Sequence, residues 1–313
     1  MDRRYVTVDV FTDRMFGGNP LAVVLDCAEL STAQMQAITR EFGYSETSFV
    51  LPPENPAHHA RVRIFTPMQE LPFAGHPNVG TAYVLALHGG VVPRPERFLF
   101  EERAGLVPVR LLLHADGQVA GAELTAPAML VRGRSVSSDS VAAALSLDLA
   151  DVVTTRHRPE IVSVGLPFMA VELRSREALR RARADPAAMA SLLPCDGADG
   201  IYLYTRSLNE PGAVEKPGAV QIHARMFSPG DGITEDPATG SATAAVGALQ
   251  AALLDASDLE LTLLVAQGVD MGRPSLLTVN AVKVGGDVTQ VRVGGACVTV
   301  MQGRFRISGD GAD

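Results

Sequence analysis

Two short segments of the sequence place an ionisable side chain directly before a proline, His76-Pro77 in the first half and Asp236-Pro237 in the second. An imidazole and a carboxylate acting on one substrate can donate a proton to it and accept one from it. Proline is favoured at the first helical position, where no N–H is needed. Each segment therefore predicts a helix with His76 or Asp236 as its N-cap. Either residue alone would be interpreted as a structural residue. The presence of both at corresponding places suggests catalysis instead.

An apolar run follows each proline, at 79–87 in the first half and at 238–254 in the second. A helix that is apolar nearly all round is buried, so each is predicted to lie inside a sheet that wraps around it. Its first backbone N–H groups still lack partners and carry the positive end of the helix dipole. We expect these two N-termini to face one cleft and bind a carboxylate. Gly75 and Gly240 would allow close approach of the ligand, and Ser241 adds a hydroxyl.

Glu46 is a third candidate for proton transfer. It lies in Tyr44-Ser-Glu-Thr-Ser-Phe49, where a helix is predicted to end and a half-buried strand to begin. If it faces the cleft, desolvation would raise its pKa towards neutrality and make it a usable acid and base. If it faces water, it is an exposed strand carboxylate. The local sequence leaves both possibilities open.

Asn19 and Arg273 each have a structural and a ligand-binding interpretation. Asn19 lies in a Gly-Asn-Pro segment typical of a turn, and it is also a candidate for substrate binding. Arg273 could bind a carboxylate through two N–H groups, whereas its Gly-Arg-Pro-Ser setting equally suits a turn.

The order of elements recurs along the chain, which indicates a duplicated fold. His-Pro-Asn-Val-Gly-Thr-Ala at 76–82 matches Asp-Pro-Ala-Thr-Gly-Ser-Ala at 236–242 at proline, glycine and alanine. Gly18-Asn-Pro-Leu21 has a fainter counterpart in Gly165-Leu-Pro-Phe168. The predicted fold class is α/β, more specifically α+β. It has two pseudo-symmetric lobes, each a curled mixed or antiparallel sheet wrapped around a central apolar helix.

The lobe boundary is predicted where a stretch with proline and several serines interrupts the hydrophobic pattern near 127–140. We predict a first lobe at 1–128, a second at 129–300, and a tail at 301–313 that could pack back on the first lobe. A loop insertion is expected at Ser207–Gly218.

The first lobe shows the clearest local signals for individual elements. Alternating or β-branched runs predict strands at 6–11, 21–25, 47–51 and 60–65. Ser31-Thr-Ala-Gln34 has the form of a capping box and predicts the start of a helix.

Composition argues against several classes of protein. The 313 residues carry a formal net charge of −8, which disfavours a nucleic-acid or anionic-membrane partner. The two lysines, Lys216 and Lys283, lie in a Pro/Gly-bearing polar stretch and a strand-like run, so neither suits a pyridoxal-phosphate Schiff base. No glycine-rich nucleotide motif is present in the sequence. We therefore predict no cofactor, no metal and a small-molecule carboxylate substrate.

Cysteine usage and hydropathy bear on location. Cys27, Cys195 and Cys297 are widely spaced and odd in number, which favours buried free thiols in a reducing compartment. The first residues lack the apolar core of a signal peptide, and no stretch offers the ~20 apolar residues of a membrane span. The expected location is the cytoplasm.

Taken together, these motifs closely resemble the phenazine-biosynthesis PhzF-like family. The resemblance covers essentially the whole chain, and the joint order of its motifs is highly specific. They lie at 17–24, 45–49, 65–77, 235–242 and 267–275. The family resemblance implies the diaminopimelate epimerase fold, cofactor-independent isomerase activity and a homodimer.

The resemblance also implies roles for the candidate residues. Glu46 would remove and return the proton, while His76 and Asp236 would orient or protonate polar groups of the substrate. The Gly240–Ser241 turn would bind its carboxylate. In the best-known member, the corresponding glutamate shifts a proton between ring carbons of trans-2,3-dihydro-3-hydroxyanthranilate. Family membership does not fix the substrate, because other pocket residues select the ring.

Three other functions are alternatives to this one. Related epimerases and proline racemases use two opposed cysteines, but His76 and Asp236 occupy those places here, so a two-thiol racemase is disfavoured. An amino-acid epimerase using Glu46 would change only the stereochemistry of its substrate. A non-catalytic carboxylate-binding protein would keep the site and lose the chemistry.

Overall fold

The structure, a computed structural model, describes residues 2–90, 93–206, 220–229 and 233–307. The chain divides into two compact units, one formed by Met1–Thr125 with Gly294–Asp313 and the other by Ala126–Val293. Both divisions fall earlier in the chain than the boundaries predicted at 128 and 300. The loop insertion predicted at Ser207–Gly218 lies outside the described residues.

The first unit contains the N-terminal strands and two helices. Its elements are β1 Asp2–Val10, β2 Asn19–Val24, α1 Thr32–Phe42, β3 Glu46–Leu51, β4 Ala60–Phe65, β5 Glu70–Leu71, α2 Gly75–His88, β6 Arg97–Glu102, β7 Gly105–Leu113 and β8 Val119–Thr125. The four predicted strands are present; β4 has the predicted ends, and each of the other three has at least one end shifted. The capping box is also confirmed, because the Ser31 and Gln34 side chains each bond the other residue's backbone N–H.

The following elements complete the chain, and the last strand runs from the second unit into the first. They are β9 Val131–Ser135, α3 Ser138–Ala144, β10 Glu160–Ser163, β11 Pro167–Glu172, α4 Arg176–Arg181, α5 Pro186–Leu192, β12 Ile201–Thr205, β13 Val220–Ser228, β14 Ile233–Asp236, α6 Gly240–Ala252, β15 Leu259–Gln267, β16 Ser275–Val284 and β17 Asp287–Arg306. The end of β17 pairs antiparallel with β1.

Strand pairing in the first unit follows a defined sequence of senses. β1 pairs antiparallel with β2, and β2 pairs parallel with β3. β3 and β4 are antiparallel, as are β4 and β5. β4 then pairs parallel with β6, and β6 antiparallel with β7.

The second unit repeats this sequence of pairings. β10 pairs antiparallel with β11, and β11 parallel with β12. β12 with β13 and β13 with β14 are antiparallel, β13 with β15 is parallel, and β15 with β16 is antiparallel. The faint repeat also falls at equivalent places, since β2 begins at Asn19 and β11 at Pro167. The predicted class of two pseudo-symmetric, sheet-rich lobes is confirmed.

Each unit is built around one buried helix, as predicted from the apolar runs. In α2 every residue from Gly75 to Leu85 is buried, and the helix contacts β1, β2, β3, β7 and β8. Gly80 allows this close packing, because a Cβ there would lie 2.6 Å from Leu21 Cδ2. α6 is buried in the same way and contacts β10, β11, β15 and β16. Among the described residues, no helix combines the length and apolarity needed to cross a membrane.

Glu102, the last residue of β6, is a buried carboxyl group that the sequence does not single out. Both of its carboxyl oxygens are inaccessible to solvent and make no standard hydrogen bond with the described residues. Burial raises the pKa of Glu102 to about 8, against a smaller lowering effect of the Asn78 amide. The group is therefore protonated through most of the physiological pH range.

We expect Glu102→Gln to stabilise the protein at alkaline pH. A carboxyl whose folded pKa lies above its unfolded value stabilises the fold fully below pH 4.5, and this contribution is lost as the pH rises through about 8. Glutamine has nearly the same shape and no charge to bury. Urea unfolding at pH 4.5 and pH 9 should give similar free energies at the lower pH and a gain on the order of 2 kcal/mol for the variant at the higher pH.

The neighbouring Glu101 provides the matched control. Its carboxylate accepts hydrogen bonds from the backbone N–H groups of Glu54 and Asn55 and contacts His58 Nδ1 at 2.7 Å. These contacts lower the pKa of Glu101 to about 2. Glu101→Gln is expected to destabilise the protein, and a gain at pH 9 for both variants would show that the effect does not arise from burial of Glu102.

Candidate functional site

The starts of the two buried helices differ from the prediction. Ala74 is the N-cap of α2, which makes His76 the second and Pro77 the third helical residue. Proline is tolerated there because the first four N–H groups of a helix lack intrahelical partners. α6 begins at Gly240 after Thr239, so Asp236 ends strand β14 instead. The prediction that His76 and Asp236 are N-caps was wrong.

Glu46 is the first residue of β3 and lies opposite Leu21 of β2. Only 14% of its side chain is exposed, and its Oε2 lies 3.6 Å from His76 Nε2. Alternation along the strand explains this position. Phe49 packs with Met35 of α1, so the residue at 46 points to the opposite face, towards α2. Of the two orientations that the sequence left open, the structure has the buried one.

His76 is buried within the first turn of α2, with 4% of the residue exposed. Burial lowers the pKa of His76 to about 3, so the ring is neutral at neutral pH. Its Nδ1 lies 3.3 Å from Nδ2 of Asn19, which is itself fully buried. Ser45 Oγ donates to Asn19 Oδ1 at 3.2 Å. Ser45, Asn19, His76 and Glu46 thus form one polar chain, which includes Ser45 although the sequence did not identify it.

The second unit positions Asp236, Gly240 and Ser241 where β14 leads into α6. Asp236 Oδ2 accepts from Thr239 Oγ1 at 2.5 Å. Gln267, fully buried at the end of β15, donates to the Asp236 carbonyl at 2.9 Å and accepts from the Thr239 N–H at 3.1 Å. This amide thus joins Asp236, the last residue of β14, to Thr239, the N-cap of α6. Gly240 is buried and Ser241 half-buried in the first turn of α6.

A buried arginine supports the residue before Asp236. Arg225 on β13 is 6% exposed and makes two hydrogen bonds to Glu235, at 2.7 and 2.8 Å. Its Nη1 also donates to the carbonyls of Leu179 and Ala182, each at 2.9 Å. The guanidinium stacks on Phe227 at 4.8 Å from the ring centroid. This ion pair was not predicted, although Glu235 lies within a recognised motif.

Arg273 lies in a tight turn before β16. Its N–H donates to the Gly268 carbonyl at 3.0 Å, and its own carbonyl accepts from Ser275 Oγ at 3.1 Å. Gly268 has a φ of +72°, and a Cβ there would lie 2.4 Å from the Arg273 carbonyl oxygen. The backbone therefore has the conformation expected of a turn, which is one of the two interpretations that the sequence left open.

The three cysteines are all free and buried, and none lies in the motifs at the two helix starts. Burial raises the pKa of Cys27 and of Cys297 to about 12 in each case. At pH 8 a thiol with that pKa is about 10⁻⁴ thiolate, and only the thiolate is nucleophilic. Because Cys27 and Cys297 are un-ionised and Cys195 is only 1% exposed, we expect iodoacetamide at pH 8 to leave the activity of the folded protein unchanged. Rapid inactivation with one alkylated cysteine in the mass spectrum would contradict this expectation.

The duplicated topology, with one buried helix in each unit, defines the diaminopimelate epimerase-like fold class. The chain belongs to the phenazine biosynthesis-like protein family, whose sequence profile matches residues 8–303.

Individual relatives extend over nearly the full chain. An uncharacterized isomerase of Mesorhizobium japonicum is 40% identical, over 97% of this chain and 99% of the relative. The trans-2,3-dihydro-3-hydroxyanthranilate isomerase of Pseudomonas aeruginosa is 35% identical, over 96% of this chain and 98% of the relative. The crystal structure of a Bacillus anthracis phenazine biosynthesis protein of the PhzF family superposes with a TM-score of 0.84 at 25% identity, over 98% of this chain and 100% of that one. These similarities place the chain among isomerases.

Proposed function

We propose that this protein is a cofactor-independent isomerase that moves a proton on a small cyclic or unsaturated amino or hydroxy carboxylate. The reaction would be similar to that of trans-2,3-dihydro-3-hydroxyanthranilate isomerase, after which a relative is named. The observation that carries the proposal is the buried Glu46 carboxyl group 3.6 Å from a neutral imidazole. A carboxylate shielded from water, with a non-titrating neighbour, is suited to carry a proton.

The proposed reaction conserves all atoms of the substrate. The Glu46 carboxylate takes a proton from a substrate carbon, and the electron pair of the broken C–H bond moves into the adjoining unsaturated system. The carboxyl group then returns that proton, or one exchanged with solvent, to a second carbon, which forms a new C–H bond and restores the carboxylate. His76, being neutral, orients polar groups of the substrate through a hydrogen bond and adds no charge.

The proposal assigns substrate binding to Asp236, Gly240 and Ser241 as well. The start of α6 supports this, because its first N–H groups lie at the positive end of a buried helix, and an anion is favoured there. Ser241 can add a hydroxyl donor, and Asp236 can accept from an amino or hydroxyl group of the substrate. Ser241→Ala should raise KM for a carboxylate substrate more than it lowers kcat.

The location and assembly of the protein are also part of the proposal. Three buried free thiols are compatible with the reducing cytoplasm. A homodimer is expected from the family resemblance, and light scattering at micromolar concentration would measure its mass directly. A monomer mass at all concentrations would remove the dimer from the proposal.

The reaction can be tested by proton NMR in D₂O with trans-2,3-dihydro-3-hydroxyanthranilate and a panel of small cyclic amino acids. We expect isomerisation or carbon-bound deuterium with the wild type and neither with Glu46→Gln. Deuterium incorporation with inversion at one centre and an unchanged skeleton would identify an amino-acid epimerase instead. Line broadening of a panel compound without exchange or rearrangement would favour a binding protein.

A further inference from the structure

We propose that Ser45 and Asn19 are positioning residues that fix the tautomer of His76, so that the imidazole presents its Nε2–H towards Glu46. Neither residue contacts the reacting atoms in this assignment, because both act through the imidazole. The effect of this tautomer on catalysis rests on the proposed function. The assignment of the tautomer itself does not depend on that function.

Hydrogen-bond complementarity along the polar chain supports the assignment. Ser45 Oγ donates to Asn19 Oδ1 at 3.2 Å, which engages the amide oxygen and leaves the NH₂ group facing the imidazole. That NH₂ group lies 3.3 Å from His76 Nδ1 and can only donate. Nδ1 must therefore accept, and a neutral ring then carries its proton on Nε2.

Burial makes this hydrogen bond decisive. Asn19 is fully buried and His76 is 4% exposed, so bulk water does not compete for the ring nitrogens. The opposite tautomer would point an Nδ1–H at the NH₂ group of Asn19, and two donors facing each other in a buried site are costly. Ser45 contributes because its hydroxyl donates to the Asn19 amide oxygen and so stabilises the amide orientation that directs the NH₂ group at Nδ1.

The tautomer also decides what Glu46 faces. Nε2 of His76 lies 3.6 Å from Glu46 Oε2, and within the described part of the chain it has no hydrogen-bond partner. The separation exceeds a hydrogen bond, so the N–H remains available to a substrate atom or to the carboxylate after a small movement. In the other tautomer the lone pair of Nε2 would face the Glu46 carboxylate. Such a contact disfavours the ionised form of Glu46. The Nε2–H tautomer thus keeps Glu46 ready to act as a base.

The tautomer can be measured directly by ¹⁵N-detected long-range correlation spectra of the ring nitrogens, in full-length protein labelled at histidine. The chain has seven histidines, so a His76→Gln spectrum assigns the signal. We expect Nδ1 of His76 to be unprotonated and Nε2 protonated in the wild type. Asn19→Asp puts an acceptor in place of the NH₂ group and should protonate Nδ1. A wild-type ring with its proton on Nδ1, or an Asn19→Asp ring unchanged from the wild type, would overturn the assignment.

The role of Ser45 is tested with matched serine variants. Ser45→Ala should increase the Nδ1–H form and, with a panel substrate, lower kcat about tenfold while leaving KM nearly unchanged. Ser45→Thr keeps the hydroxyl and should restore both values. Ser48, the third residue of β3, has a buried hydroxyl without a hydrogen-bond partner among the described residues, so Ser48→Ala should leave the tautomer unchanged. Equal effects of Ser45→Ala and Ser48→Ala would indicate only a packing role for Ser45.

Failure of this inference can be told apart from failure of the proposed function. If no panel compound exchanges or rearranges with the wild type, the isomerase proposal loses its support, but the tautomer spectra are unaffected. If proton transfer by Glu46 is observed while Nδ1 carries the proton, the isomerase proposal stands and the assignment to Ser45 and Asn19 is wrong.

Discussion

Glu46→Gln is expected to reduce kcat/KM for proton transfer about 10²- to 10⁴-fold, the usual contribution of a positioned acid and base. Glutamine fills the same volume beside His76 and can still accept a hydrogen bond, but it cannot take a proton from carbon. Glu46→Asp keeps the carboxyl group and withdraws it by one methylene, so we expect an intermediate loss from misplacement alone. Rates of deuterium incorporation measured by NMR would rank the three proteins.

An exposed glutamate gives the control for this substitution. Glu41 lies on the outer face of α1, and Glu41→Gln makes the same chemical change away from the polar chain. It should keep the wild-type rate and unfolding midpoint. If Glu46→Gln retained the wild-type rate, another group would have to carry the proton. Glu46→Gln could also lose activity together with a large fall in the unfolding midpoint. In that case the rate of Glu46→Asp, which keeps the carboxyl group, would show whether the loss comes from the missing acid and base or from poor folding.

The sequence predicted the fold well because the strongest signals in it are composition and order. The residues of α2 include no Asp, Glu, Lys or Arg, and nor do those of α6, so each helix could only be stable when surrounded by other elements. The repeated motif around each helix start then indicated two equivalent lobes. The pairing senses of β1 to β7 and of β10 to β16 agree with that duplication.

The helix starts could not be predicted correctly from local rules. Proline preference places Asp236 at an N-cap, but the Gln267 side chain, 31 residues further along the chain, binds the Asp236 carbonyl. This contact belongs to the tertiary structure and has no trace in the residues around Pro237. The orientation of Glu46 was open for a similar reason, because alternation along β3 fixes its face only once Phe49 is known to pack with Met35 of α1.

The supporting residues were missed because their partners are distant in sequence. Ser45 is 26 residues from Asn19, and His76 is 57 residues from Asn19. A serine beside a candidate glutamate is an ordinary strand residue until the amide that it contacts is known. Sequence motifs therefore identified the groups that could do chemistry, and the tertiary contacts identified the residues that orient them.

Arg225→Met is expected to lower the free energy of unfolding by about 3–5 kcal/mol, the cost of removing one partner from a buried ion pair. Methionine can fill much of the space over Phe227. It leaves Glu235, whose side chain is 15% exposed, without its guanidinium, and it removes a donor from the carbonyls of Leu179 and Ala182. Urea unfolding of the wild type and variant would measure the loss.

A second substitution separates the unpaired charge from the lost packing. In Arg225→Met/Glu235→Gln no carboxylate is left buried, so part of the lost stability should return, and the coupling energy follows from the double-mutant cycle. Arg180→Met serves as the surface control, because Arg180 pairs with Glu177 at a site where both side chains are more than half exposed, and should change stability by less than about 1 kcal/mol. If Arg225→Met matched Arg180→Met in its effect on stability, the pair with Glu235 would not stabilise β14.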